Sequence, residues 1–217
     1  MKVSKEKTAE NRRRIVRAAS RLFRERGIEG TGVDSICTAA DLTHGAVYSH
    51  FGSKEAITVE ALRLALAGSR RIWLRQLEKR GRKTALTAII QGYLSALHRD
   101  EPGTGCVVAA LGAEISRQAR GVRDAFTAEF KEALKFLSEL LADDKNEFNR
   151  DDTLALFATM AGALMLSRAV NDRQLSDRIL KVTIAWIDRA VKAGNQLESR
   201  EFAIRDWNRA RRSTSTT

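Results

Sequence analysis

Between Thr43 and Lys54 the chain gathers residues suited to hydrogen bonding a polar, negatively charged partner. Thr43, Tyr48 and Ser49 carry hydroxyls, and His44 and His50 carry imidazoles. Gly45 and Ala46 are small enough to let a backbone come close, and Lys54 adds a cation. Hydroxyls, imidazoles and ammonium groups suit phosphate oxygens and the polar edges of bases. Lys54 follows Ser53, which has the character of a helix N-cap. A cation is unfavourable at the positive end of a helix dipole, so an external anion such as a phosphate is the better reason for it.

The flanking pattern supplies elements to hold these residues. Ile15, Ala19, Leu22 and Phe23 fall on one face of a first helix, which Gly27 ends. Val33, Ile36, Cys37 and Ala40 give a second short helix the same kind of stripe. A third opens at Thr43, and Leu42, Val47 and Phe51 complete the core, leaving the polar set outside. This is the layout of a helix-turn-helix, which presents its second short helix to the major groove of DNA.

From about Arg13 to Ala56 the chain closely resembles the DNA-binding domain of the TetR family of bacterial transcriptional regulators. The matching residues are Ala19, Leu22-Phe23, Gly27, Val33, Ile36, Ala40, Gly45, Tyr48 and the run His50-Phe51-Gly52-Ser53-Lys54-Glu55-Ala56. The resemblance implies that Thr43, Gly45, Ala46, Tyr48, Ser49, His50 and Lys54 face an operator, with Tyr48 on a phosphate. Thr31 and His44 join the expected DNA-binding set. Asp41 stands where the family has a turn glycine, and Asp tolerates left-handed geometry. Gly32 stands where a Ser or Thr caps the second helix, a role left for Thr31. Both departures bear on the docking angle and neither on the fold.

Charge is distributed accordingly. Residues 1–80 hold 17 Lys and Arg against 9 Asp and Glu, a net of +8, and the remaining residues hold 21 against 18, a net of +3. A positive field concentrated around the reader is what counterion-release binding to phosphates requires. Cys37 and Cys106 form no metal-ligand spacing or disulfide framework, and His44, His50 and His98 do not cluster with them. No phosphate loop, nucleophile elbow or acid/base carboxylate pair is present. The chain is read as a non-enzyme needing no cofactor or metal. Its N-terminus has no signal-peptide core, and no run approaches the ~18 apolar residues of a spanning helix. The expected location is the cytoplasm, at the nucleoid.

A single proline and abundant Ala, Leu and Arg favour an all-α protein of about nine helices. The expected division is 1–54 for the reader, 55–195 for a helical ligand-binding and dimerisation domain, and 196–217 for a polar, partly disordered tail. A fourth helix runs from Ser53 to about Arg80, ended by Gly81, and a fifth from Lys83 to His98. A break at Asp100-Glu101-Pro102-Gly103 follows, then helices from Cys106 to Arg117 and from Gly121 to Leu141. Ala142 to Arg150 reads as a loop, with final helices from Asp151 to Val170 and from Leu175 to Ala193.

For dimerisation the stripe Leu154, Phe157, Ala161 and Leu164, facing Val182 and Trp186, is the candidate; a two-fold dimer reads a pseudo-palindromic operator. The family resemblance further implies a small-molecule inducer held between the fifth and eighth helices, whose binding shifts the fourth. Candidate wall residues are Tyr93, Leu97, Cys106, Leu111, Phe126, Phe130, Phe157 and Met160. Glu114 is placed to pair with Arg117, Arg168 to cap helix-end carbonyls, and His98 to complement a helix C-terminus. The segment from Gly105 to Glu114 resembles the sixth-helix start of a TetR subgroup that includes electrophile- and hypochlorite-sensing repressors. The expected function is a sequence-specific repressor released by an inducer. The alternative is a TetR-like structural or division-control protein that acts through protein partners, with a filled regulatory core.

Overall fold

The computed structural model describes residues 5–141 and 150–192. The expected loop and the polar tail lie almost wholly outside the described residues. Within them are ten α-helices and one short 3-10 turn, and no strand.

Helix α1 (Lys5–Arg26) buries Ile15, Ala18, Ala19, Leu22 and Phe23 on one stripe. It ends at Gly27, whose φ of +81° puts it in the left-handed region and whose N–H bonds to Phe23 O at 2.8 Å. Helices α2 (Val33–Ala40) and α3 (His44–Phe51) follow. Asp41 takes the turn at φ 50°, ψ 54°. Arg14 holds it there, 2.8 Å from its carboxylate and 3.2 Å from its carbonyl oxygen. Thr43 caps α3 by accepting from Ala46 N–H, and Ser53 caps α4 (Lys54–Arg80) by accepting from Ala56 N–H. At 27 residues, α4 extends about 40 Å. It packs on α1, where Ser20 Oγ donates to Ala61 O at 3.1 Å.

The expected fifth helix is two helices, α5 (Arg82–Tyr93) and α6 (Ala96–Asp100). Ser95 divides them. Its hydroxyl donates to Gly92 O at 2.8 Å and accepts from His98 N–H at 3.1 Å, so a side chain replaces the helical ladder on both sides. The turn Pro102–Thr104 packs against α1 so closely that a Cβ on Gly103 would meet the Glu25 carboxylate. Helices α7 (Val107–Ile115), α8 (Arg120–Leu141), α9 (Arg150–Ala169) and α10 (Arg173–Lys192) complete the bundle. Cys106 is the N-cap of α7, one position before its first turn. Helix α10 starts two residues earlier than expected because Asp172 accepts from Leu175 N–H at 3.0 Å. Helix α8 lies along α4, and α9 and α10 form a hairpin.

Candidate DNA-reading face and effector cavity

Val47 is fully buried and pins α3 to the core that contains Ile15, Phe23 and Ile36. With that side fixed, Thr43, His44, Gly45, Tyr48 and Ser49 are exposed and Ala46, His50 and Lys54 half-buried. The His44 and Tyr48 rings lie 4.8 Å apart, one turn apart on the outer face. His44 Nε2 is 3.5 Å from Asp34 on α2. A Cβ on Gly45 would meet nothing within 4 Å, so the helix start is open to close approach. Arg12 braces the far end, donating to His50 O at 3.1 Å and stacking 4.2 Å from the Phe51 ring centroid.

Thr31 is corrected on two counts. It is fully buried, and its hydroxyl donates to Gly27 O at 2.7 Å, which leaves nothing for DNA. Nor does it cap α2, whose N-cap is Gly32 with no side-chain bond. A glycine there costs only a few tenths of a kcal/mol, roughly, against Ser or Thr.

The eight expected effector-wall residues separate. Tyr93, Leu97 and Cys106 line a cavity of about 560 Å³ bounded by α1, α4, α5, α6 and the Cys106 end of α7. Leu111, Phe157 and Met160 are buried in packed core and do not line it, Phe157 standing behind the wall against Trp73 and Tyr93. Phe126 and Phe130 stack 5.6 Å apart, and Phe130 meets Phe157 edge-on at 5.3 Å. Aromatic packing therefore fills the centre of the bundle, and the space opens towards α1. Arg17, Ser20 and Arg24 of α1, with Ile72 and Trp73 of α4, belong to the wall and were not anticipated. The available signal was the small pair Gly68 and Gly92, which leaves room between α4 and α5.

The cavity floor is polar and buried. His98 Nδ1 lies 2.7 Å from Tyr93 O, while Nε2 accepts from Cys106 N–H at 2.8 Å, fixing a neutral imidazole with its proton on Nδ1. Burial lowers its pKa, and the Arg168 cation adds to that against the Tyr93 carbonyl bond. The expected role at a helix end is half of what His98 does, since it also ties α5 to α7. Burial, with the Cys106 thiol beside it, pushes the Tyr93 phenol well above its ordinary value, and its hydroxyl has no nitrogen or oxygen partner among the described residues. Arg24 donates to Gly103 O and, at 3.0 Å, to Ser20 Oγ. Burial lowers its pKa. Arg168 caps α6 as expected, reaching His98 O at 2.6 Å and Arg99 O at 3.1 Å. Cys106 is a free, buried thiol, as is Cys37, whose pKa burial and then Asp34 raise.

Glu114 does not pair with Arg117. Its carboxylate accepts from Ile28 N–H at 2.9 Å and Glu29 N–H at 2.7 Å, joining the end of α7 to the turn after α1. Arg99, buried, was also missed. It is bound by Asp100, Ser176 and Asp177 and fastens α6 to α10.

Of the dimerisation set, Phe157 and Leu164 are buried in the subunit's own core and Ala161 is only 9% exposed. Their apolar surface is already covered, which removes Phe157 and Leu164 from any partner-facing set. Leu154, Val182 and Trp186 are about half exposed. Leu175, expected in the stripe of the last helix, is exposed, and Leu166, exposed on α9, was not anticipated as part of that surface.

A short exposed helix with an open N-terminus, braced by two others and followed by a helical bundle, defines a helix-turn-helix DNA-binding regulator. Residues 15–61 match the family model for bacterial regulatory proteins of the tetR family, and residues 82–183 match the tetracyclin repressor-like C-terminal domain. The chain belongs to the TetR family of transcriptional regulators. It is similar to the HTH-type transcriptional repressor DhaR of Mycobacterium sp. (strain GP1), 27% identical over 79% of this chain and 89% of that one. It is also similar to the HTH-type transcriptional regulator TtgR of Pseudomonas putida, 41% identical over 27% of this chain and 28% of TtgR. The fold is similar to the crystal structure of the reduced form of NemR from E. coli, with a TM-score of 0.69 and 21% identity, covering 82% of this chain and 95% of NemR. Among the described residues no helix is long and apolar enough to cross a membrane.

Proposed function

We propose that the protein is a repressor that binds a pseudo-palindromic operator as a homodimer and is released by a small-molecule effector. The observation that carries the reading is the exposed face of α3 together with a partly buried cavity, polar at its floor, that shares a wall with α1. Thr43, His44, Gly45, Ala46, Tyr48, Ser49, His50 and Lys54 form the DNA-facing set. Lys54 and Tyr48 hold phosphates, while Thr43 and His44 reach base edges. Repression fits the description of DhaR as a repressor. The open cavity favours an effector over the protein-partner alternative, which calls for a filled regulatory core.

Quantitative binding to an operator selected from random duplexes tests this. Affinity should fall steeply between about 50 and 200 mM salt, and Lys54→Ala should weaken all sequences alike while flattening the salt slope by about one unit. His44→Ala should instead change the preferred sequence. A salt-independent affinity, or a Lys54→Ala effect confined to one sequence, would refute the phosphate role.

A further inference from the structure

Helix α1 contributes Arg17, Ser20 and Arg24 to the cavity, so an occupant touches the reader's first helix directly. The charges around the cavity are unequal. Arg17, Arg24 and Arg71 face a single carboxylate among the described lining residues, Glu101. None of the three arginines is held in a salt bridge among the described residues. Tyr93 is 7% exposed and lines the same space, with a hydroxyl that has only the Cys106 thiol beside it and no nitrogen or oxygen partner among the described residues. A buried hydroxyl with only a thiol beside it and a partly buried guanidinium bound only to neutral oxygens and outside any salt bridge both gain from a charged acceptor, and one anion serves both. Arg24 and Tyr93 both interact electrostatically with Cys106, which puts them at the same end of the cavity. The remaining wall is apolar. Trp73 is buried, while Ile72 and Leu97, at 46% and 68% exposed, stand at the mouth.

We propose that this cavity binds a small amphipathic monoanion, a carboxylate on an aryl or alkyl body. The carboxylate accepts from Arg24 and the Tyr93 hydroxyl, and the body lies along Trp73 towards Ile72 and Leu97. The volume of about 560 Å³ suits a ligand of that class. This rests on the effector-released reading above and adds the ligand's chemistry and its contact with α1.

The probe is 4-phenylbutyrate, titrated calorimetrically into the full-length protein beside its neutral amide. The acid should bind once per chain with Kd below about 1 mM, and the amide at least about tenfold more weakly, because only the acid makes charge-assisted bonds. Arg24→Gln should lose that preference. Gly92→Leu gives a control that keeps its fold. A Cβ there meets nothing within 4 Å, and leucine favours a helix over glycine. It should abolish binding of the acid while the helical circular dichroism and thermal midpoint stay at wild-type values. Equal binding of acid and amide, no binding of either, or binding untouched by Gly92→Leu would each overturn the site. Acid binding that meets these criteria without altering operator affinity would uphold the site and overturn the effector-released reading. Failure of the wild-type protein to bind any operator would overturn the DNA reading alone.

Discussion

His98 shows how one side chain can make a junction depend on pH. Its Nε2 must stay unprotonated to accept from Cys106 N–H, and burial lowers its pKa below the ordinary value of 6.5. The unfolded chain therefore binds a proton in a range where the folded chain does not. Stability from this group is complete above 6.5 and declines as pH falls through 6.5 towards the lower folded value. The thermal midpoint should drop between pH 7.5 and pH 5.5, and His98→Gln should flatten that part of the profile. An identical slope in the variant would remove His98 as the cause. Asp100 acts in a lower range. Arg99 and then Arg173 hold its pKa to about 2, so its contribution persists above 3.8 and is lost only as pH falls towards 2.

At the scale of elements, α7 joins the cavity to the reader. Cys106 caps one end, and at the other Glu114 holds Ile28 N–H and Glu29 N–H. Bonds to a charged acceptor contribute about 1.5–3 kcal/mol each, and Ile28 is buried. Because Glu29 is exposed and its amide can turn to water, Glu114→Ala should cost roughly 2–4 kcal/mol rather than the full sum and speed exchange of both amides, with Glu114→Gln intermediate because only one acceptor oxygen remains. Unchanged exchange at Ile28 would show that the carboxylate does not hold the turn. The sequence made the ends of α1, α3 and α4 legible because Gly27, Thr43 and Ser53 act through bonds to near neighbours. It hid the split between α5 and α6 because Leu94 and Leu97 continue the apolar spacing while Ser95 diverts the backbone bonds. Glu114 misled for the opposite reason, since its true partners are distant in the chain. The fixed spacing of α3 made its exposed polar side legible, but Thr31 required knowing that its hydroxyl turns inward.

For the whole molecule the decisive surface is the outer side of α9 and α10. Leu154, Leu166, Leu175, Val182 and Trp186 leave an apolar surface exposed on adjacent helices, of the kind that marks an interface. A periodic stripe could not reveal that Phe157 and Leu164 serve the subunit's own core, because both kinds of neighbour are apolar. Ala161→Arg would damage that core and is a poor probe of assembly. Val182→Arg places a charge on exposed surface, so the subunit should fold and sediment as a monomer. An unpartnered charge in a close-packed interface costs about 3–5 kcal/mol. Operator affinity should fall at least tenfold, approximately, with the loss of the second half-site. A variant that still sediments as a dimer would move the interface elsewhere.

Gly27 and Glu114 amount to one mutational unit. The left-handed backbone at Gly27 already disfavours any other residue, and an added Cβ would come within 3.0 Å of the Glu114 carboxylate oxygen. Replacing Gly27 alone pushes that carboxylate off the two amides it binds. Removing Glu114 alone opens the space but leaves the amides without an acceptor. Neither position can drift by single steps at low cost, so the joint between reader and bundle resists change more than either of the parts it connects.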